Sequence, residues 1–233
     1  MSVVVPAFEE SDRIASAIAE IRAALADLEG GVEVIVVDDG STDGTAEAAR
    51  AAGADRVLVH AVNRGKGAAV RTGVLAASGA AVAFTDADLA YAPDQLHGLL
   101  ERVESGIDVV VGSRKHEMTR TLVQARRLRE LGGRVINSLT QVVLLGRYRD
   151  TQCGLKAFTA DAGQLIFGRS RVDRFAFDVE VFVIAETNAL TVEEVPVTIV
   201  NSTRSTVHVV RETARLVRDL FRIRRWSRHG AYG

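Results

Sequence analysis

The sequence predicts a single α/β domain built on a mostly parallel central sheet flanked by helices. Three observations carry that expectation. Strand-like segments read as unbroken apolar runs, amphipathic helical segments alternate with them through the first half, and polar clusters directly follow each run. At about 150 residues per domain, 233 residues make one large domain or two small ones. No repeat, low-complexity linker or composition break divides the chain, so one domain is expected. Hydrophobic residues at 47% and charged residues at 25% exclude a disordered or collagen-like chain. Cys153 is the only cysteine, which excludes an internal disulfide and fits a reducing cytosol. No basic-then-apolar leader is present, and the longest uncharged run, residues 72–85, is 14 residues interrupted by glycines. A membrane span needs about 20 apolar residues, so a soluble chain is expected.

The elements follow in order. Residues 2–5 form a β-branched strand stopped by Pro6. Residues 11–28 place Ile14, Ile18, Ile21, Leu25 and Leu28 at the three-and-four spacing of one helix face. Residues 32–37 give a second buried-type strand, and Asp43 is a suitable cap for the helix after it. Residues 57–59 and 80–84 are the third and fourth strands, with a helix over 66–77 between them. Further on, 93–105 reads as helix, 108–111 as strand, and 119–145 as mostly helix interrupted at Gly132 and Gly133. Residues 154–158 and 191–200 are strands, the second at an edge because Pro196 lies in it. A helix over 178–186 and an amphipathic helix over 204–226 complete the chain.

Ligands of such sheets bind beyond the carboxyl ends of the strands. Those four ends carry Pro6-Ala-Phe-Glu-Glu10, Asp38-Asp-Gly-Ser-Thr-Asp-Gly-Thr45, Asn63-Arg-Gly-Lys-Gly67 and Asp86-Ala-Asp88. Alternate residues of an extended segment face one way, so Asp86 and Asp88 can meet one cation. Hard carboxylate oxygens suit Mg²⁺ or Mn²⁺ bridging to a substrate's phosphates. The segment 63–67 opens a helix and offers Lys66, a combination that can hold phosphate. It lacks the spacing of a Walker loop, and no Gly-x-Gly-x-x-Gly follows the first strand, so neither an NTPase nor a dinucleotide enzyme is expected. No Gly-x-Ser-x-Gly marks a serine hydrolase, and the five histidines show no ligand spacing. Cys153 reads as a small core residue beside the site.

Net charge is −1, but residues 204–228 hold eight arginines against Glu212 and Asp219. Such a segment fits either an anionic surface or a solvated helix face. Phe221 and Trp226 are its only aromatics, too few for base stacking, so no nucleic acid is expected.

The four motifs together resemble those of family 2 glycosyltransferases with the GT-A fold. Gly112-Ser-Arg114, Asp150-Thr-Gln-Cys-Gly-Leu-Lys-Ala-Phe158 and Arg174-Phe-Ala-Phe-Asp-Val-Glu180 are similar to segments of dolichyl-phosphate β-glucosyltransferases and, less closely, polyprenyl-phosphate mannose synthases. The resemblance implies that Asp38 and Asp39 meet the base and ribose of a nucleotide-sugar donor, with Pro6, Ala7 and Glu9 lining the same pocket. It also implies that Asp88, with Asp86, binds the metal on the sugar diphosphate, and that Arg114, Arg127 and Arg134 hold an acceptor phosphate. Mannose synthases usually carry glutamine two residues after the second aspartate, where this chain has Ala90. The implied organisation is a donor part over 1–112, an acceptor part over 113–203 and a basic amphipathic helix over 204–233.

The implied activity is inverting transfer of a hexose, glucose from UDP-glucose, to a polyprenyl phosphate by a cytoplasmic protein peripheral to the inner face of the membrane. A phosphate acceptor is ionised near neutrality, with a second pKa of about 6, and needs no strong base. A hydroxyl acceptor would need one, and Asp178 or Glu180 would supply it. Mannosyl transfer from GDP-mannose, transfer to a soluble hydroxyl, and a catalytically idle sugar-nucleotide sensor remain the alternatives. The final helix is expected to lay Val207, Val210, Ala214, Val217, Leu220, Phe221 and Trp226 against the bilayer, with its arginines toward anionic headgroups.

Overall fold

The computed structural model describes residues 1–122, 148–200 and 209–233, with backbone alone for 209–214. Seven strands form one sheet in the order β3-β2-β1-β4-β7-β5-β8. They are β1 (Ser2–Ala7), β2 (Glu33–Asp38), β3 (Arg56–Val59), β4 (Ala81–Phe84), β5 (Val109–Ser113), β7 (Lys156–Thr159) and β8 (Val192–Pro196). All neighbours run parallel except β7, which is antiparallel to both β4 and β5. Two short strands, β6 (Arg120–Thr121) and β9 (Thr198–Ile199), pair separately. Residues 120–121 are therefore extended where the sequence predicted helix, because β9 offers them a backbone ladder.

Alternation along β1 explains the three layers. Val4 joins a core with Ile35, Val37, Phe84 and Phe182, while Val3 and Val5 join another with Ile14, Ile18 and Leu96. The first core is roofed by α3 (Lys66–Ala76), α5 (Ala160–Arg169), α6 (Phe177–Thr187) and α7 (Val209–Arg228), the second by α1 (Ile14–Ala24), α2 (Thr45–Ala51) and α4 (Gln95–Glu104). Buried on both faces, the segments Val3–Val5, Val34–Val37, Ala81–Phe84 and Val109–Val111 are apolar throughout, which is the reason they read as continuous runs.

Local chemistry accounts for the departures. Strand β1 passes through Pro6 to Ala7, since β4 pairs only as far as Val4 and a missing N–H beyond that point breaks no ladder on that side. Gly44, in the left-handed region at φ 87°, occupies the cap position of α2, and Asp43 instead accepts from the Thr45 N–H and hydroxyl. Helix α5 was not expected. Its signals are Thr159, whose hydroxyl accepts from Ala162 N at 3.2 Å, and Asp161 in the first turn. Strand β8 lies at the sheet edge, as Pro196 implied.

The final helix turns part of its apolar side inward. Leu216, Leu220 and Ile223 are buried in the core, with Trp226 packed beside them. Of the residues expected to face a bilayer, Leu220 is buried and Trp226 packs against the core, so the domain covers these two. Phe221 remains 69% exposed, and Arg218, Arg222, Arg225 and Arg228 are exposed on the same helix. Among the described residues no helix is long and apolar enough to cross a membrane. Val207 lies outside the described residues, as do Arg127, Arg134 and most of the helix expected over 119–145.

Candidate functional site

The parallel strands β1, β2 and β4 bring their carboxyl ends to one edge of the sheet, and the antiparallel β7 brings its beginning there as well. Pro6 and Ala7 end β1, followed by Glu9 at a positive φ of 56°. The Glu9 carboxylate accepts from the Thr42 N–H at 2.9 Å, and the Glu9 N–H donates to the Ser41 hydroxyl at 2.9 Å. The first loop and the Asp38–Thr45 loop are thus stitched together.

Asp38 and Asp39 are both buried but do different work. Asp38 accepts only locally, from Ser41 N at 2.9 Å. Asp39 accepts from Arg64 N at 3.0 Å and Gly65 N at 2.7 Å, and its Oδ1 lies 2.7 Å from His60 Nδ1. Buried and held by three partners, Asp39 shapes the pocket wall by fixing the 63–67 loop. His60, whose Nε2 lies 3.0 Å from the Thr72 hydroxyl, is a site residue that sequence reasoning passed over. Its only signal was its place directly after β3.

The start of α3 is not an open phosphate cradle. Gly65 N is spent on Asp39, and Ala68 N donates to the carbonyl of Asp173 at 3.0 Å. A Cβ on Gly65, which stands at φ 112°, would fall 2.6 Å from that carbonyl. Two of the N–H groups expected to meet a phosphate are thus engaged within the protein, one by Asp39 and one by the 172–174 loop. Lys66 remains at the cleft. Its Nζ lies 2.5 Å from Asp86 Oδ1, and although burial alone would lower the ammonium's pKa, Asp86 and Asp178 hold it above the ordinary range.

Asp86 and Asp88 follow β4 as expected, both half-buried. Asp88 Oδ1 accepts from Ala90 N at 3.1 Å, closing a tight turn through Leu89 at φ 44°. Glu10, which sequence reasoning left without a role, belongs to the same acidic group. Burial raises its carboxyl pKa, and with Arg13 opposing, Asp88, Asp43 and Asp86 raise it further. Among the described residues no three His, Cys, Asp or Glu side chains could enclose a metal ion by themselves. Two carboxylates do suit an ion that completes its shell with substrate phosphate and water. Gly154 crowds this point: a Cβ there would collide with Asp86 Oδ2.

The acceptor-side residues lie around β5 and β7. Arg114 Nε and Nη2 donate to the two oxygens of Asp150 at 2.7 and 2.8 Å, a bidentate pair, while the guanidinium stays partly exposed. Burial works against the Asp150 carboxylate, yet the Arg114 bonds hold its pKa at about 2. Nothing local in the sequence signals this pairing across 36 residues. Because the folded pKa lies below the ordinary 3.8, the pair stabilises the fold above about pH 4 and ceases to do so as pH falls through 2. We expect Asp150→Asn to forfeit about 2 kcal/mol at neutral pH and to show a flatter loss between pH 4 and 2, read from urea midpoints. Parallel acid limbs in the two proteins would contradict this.

Asp178 and Glu180 both fall in the first turn of α6, buried. Asp178 Oδ1 pairs at 2.5 Å with Lys156 Nζ, which also donates to the Cys153 carbonyl at 2.7 Å. Burial pushes the Asp178 carboxyl up while Lys156 and Lys66 pull against it. Glu180 accepts from Arg171 N, Val172 N and the Tyr232 hydroxyl, at 3.0, 2.9 and 2.7 Å. Asp178 is thus an ion-pair partner and Glu180 a loop clamp, the contacts either would have to give up to take a proton from a hydroxyl acceptor. Burial raises the Cys153 thiol pKa, in keeping with a core residue.

Residues 2–167 match the profile of glycosyl transferase family 2. The chain is 36% identical over 208 residues to a dolichyl-phosphate beta-glucosyltransferase of Trichomonas vaginalis, which covers 83% of this chain and 62% of that one. It is 35% identical over 248 residues to the Drosophila melanogaster dolichyl-phosphate beta-glucosyltransferase, covering 98% and 75%. The human protein of that name is 34% identical over 219 residues, covering 84% and 66%. The chain therefore spans between 62% and 75% of the length of these relatives. Among solved structures, a mycobacterial protein superposes with a TM-score of 0.73 at 24% identity, covering 95% of this chain and 73% of that one. The UDP complex of glucosyl-3-phosphoglycerate synthase from Mycobacterium tuberculosis gives 0.70 at 25%, covering 98% and 79%. These likenesses establish the fold, and the profile match and the curated relatives settle the family. The chain belongs to glycosyl transferase family 2.

Proposed function

We propose that the protein transfers glucose, with inversion, from UDP-glucose to a polyprenyl phosphate at a membrane surface. The observation that carries this reading is the gathering of Asp38, Lys66, Asp86 and Asp88 at the carboxyl ends of β2 and β4 and the start of α3, beside the Arg114–Asp150 pair. The relatives named as dolichyl-phosphate beta-glucosyltransferases support glucose as the sugar and a polyprenyl-type phosphate as the acceptor. In this reading residues 1–112 hold the donor and 113–203 the acceptor.

Each residue then has a physical task. Pro6, Ala7, Glu9 and Asp38 bound the nucleotide pocket, and Asp39 keeps its wall in place through the 63–67 loop. Asp88 and Asp86 are the ligands for Mg²⁺ or Mn²⁺, which when bound offsets the charge developing on the leaving diphosphate. Lys66 adds a second positive charge on that side. Arg114, oriented by Asp150, turns its remaining N–H groups to the acceptor phosphate. That phosphate attacks the anomeric carbon as an anion. With Asp178 and Glu180 committed elsewhere, the described residues favour this acceptor over a hydroxyl that must lose a proton.

The test is turnover of a nucleotide-sugar panel with divalent ion, offered a short polyprenyl phosphate or soluble hydroxyl acceptors. UDP-glucose with the lipid phosphate should be the productive pair, and turnover confined to a hydroxyl acceptor would sink the reading. In the same assay Arg114→Gln should raise KM for the lipid phosphate on the order of tenfold while leaving UDP binding near wild type. Equal loss of both would move Arg114 to the donor side.

A further inference from the structure

The transfer reaction leaves one cationic recess unused. A cavity of about 500 Å³ lies between Arg171 and the last turns of α7, lined by Arg171, Arg222, Arg225, Trp226 and His229. The Arg222 and Arg171 guanidiniums lie 4.9 and 5.6 Å from the centroid of the Trp226 ring. His229 Nδ1 is 2.7 Å from the Arg225 carbonyl, so that nitrogen carries the proton and Nε2 stays available.

Charge accounting shows what is missing. Arg222 has Asp219 at 3.4 Å. Among the described residues neither Arg171 nor Arg225 has a carboxylate within ion-pair distance. Three guanidiniums therefore share a concave space in which, among the described residues, Asp219 is their one ion-pair partner. The Trp226 ring compensates part of the repulsion, because cations are attracted to an indole face. An anion with several acceptor oxygens could pair with the guanidiniums that Asp219 does not reach. A carboxylate supplies one charge. A phosphate monoester carries about −1.5 to −2 near neutrality, with three acceptor oxygens that match arginine forks.

We propose that this recess binds a phosphate group, carried by a soluble phosphomonoester or by a phospholipid headgroup. The site is distinct from the donor cleft and its test uses no donor, so it stands or falls apart from the transfer reading. The chain has a single tryptophan, Trp226, which makes intrinsic fluorescence a direct reporter of the recess. One arm titrates inorganic phosphate against chloride at matched ionic strength. The other adds phosphatidylcholine vesicles with or without phosphatidic acid. We expect a saturable change in Trp226 emission, and phosphate binding weakened on the order of tenfold in Arg171→Gln and in Arg225→Gln. Arg225 is exposed on α7, so its variant keeps the test valid should Arg171→Gln disturb the fold, which circular dichroism will show. A response to phosphate alone identifies a soluble ligand, a response to phosphatidic acid vesicles alone a headgroup, and a response to both the phosphate group from either source. No response beyond chloride in either arm, or a response unchanged in both variants, overturns the proposal.

Discussion

Asp88→Asn is expected to lower turnover by about 10² or more while leaving the protein folded, the scale seen when one charge-stabilising group is removed from an active site. The substitution is nearly isosteric. The introduced carboxamide would keep an acceptor for the Ala90 N–H, so the turn through Leu89 at φ 44° should persist and only the negative charge is lost. Kinetics with saturating donor, repeated with excess chelator and alongside circular dichroism, check this. Asp86 is a less clean probe, because its removal strands the Lys66 ammonium 2.5 Å away. Near-normal turnover in Asp88→Asn would leave diphosphate neutralisation to Lys66 and falsify the metal assignment.

Lys156→Met is expected to destabilise the fold by about 3–5 kcal/mol, since removing one partner of a buried ion pair leaves the other uncompensated. The Asp178 carboxyl would then stay buried in the first turn of α6 with its closest cation gone. For a chain of this size the midpoint of thermal unfolding should drop by roughly 10 °C. The double variant Lys156→Met/Asp178→Leu should recover most of the loss, because apolar replacement of a whole buried pair is often neutral. Lys156 also holds the Cys153 carbonyl in the turn that seats Gly154 against Asp86, so recovered stability need not restore activity. A single variant within about 1 kcal/mol of wild type would show that Asp178 is neutralised by protonation instead.

The strands and the donor side were legible because their signals are local. Apolar runs marked β1, β2 and β4, and polar clusters directly after them marked the cleft. The reversed strand β7 was legible as a strand but not in its direction, which is set by pairing between residues distant in the chain. Helix α5 was overlooked although Thr159 and Asp161 signal its start. The carboxylates whose contacts were not legible were those whose partners are remote. Glu180 is answered by Arg171, Val172 and Tyr232, and Asp178 by Lys156, and no spacing rule reveals such pairs. The α7 stripe shows the same limit: periodicity finds an apolar face, but only packing tells whether protein or bilayer covers it.

The Arg114–Asp150 clasp fixes the end of β5 to the approach to β7 across a sequence separation of 36. For a chain closed by such a tie, length enters the free energy only logarithmically, each doubling costing about 0.6 kcal/mol in closure entropy. The clasp thereby insulates β5 and β7 from whatever sequence runs between them. An insertion between Arg114 and Asp150 is therefore expected to cost the fold little while the donor half of the molecule keeps its register.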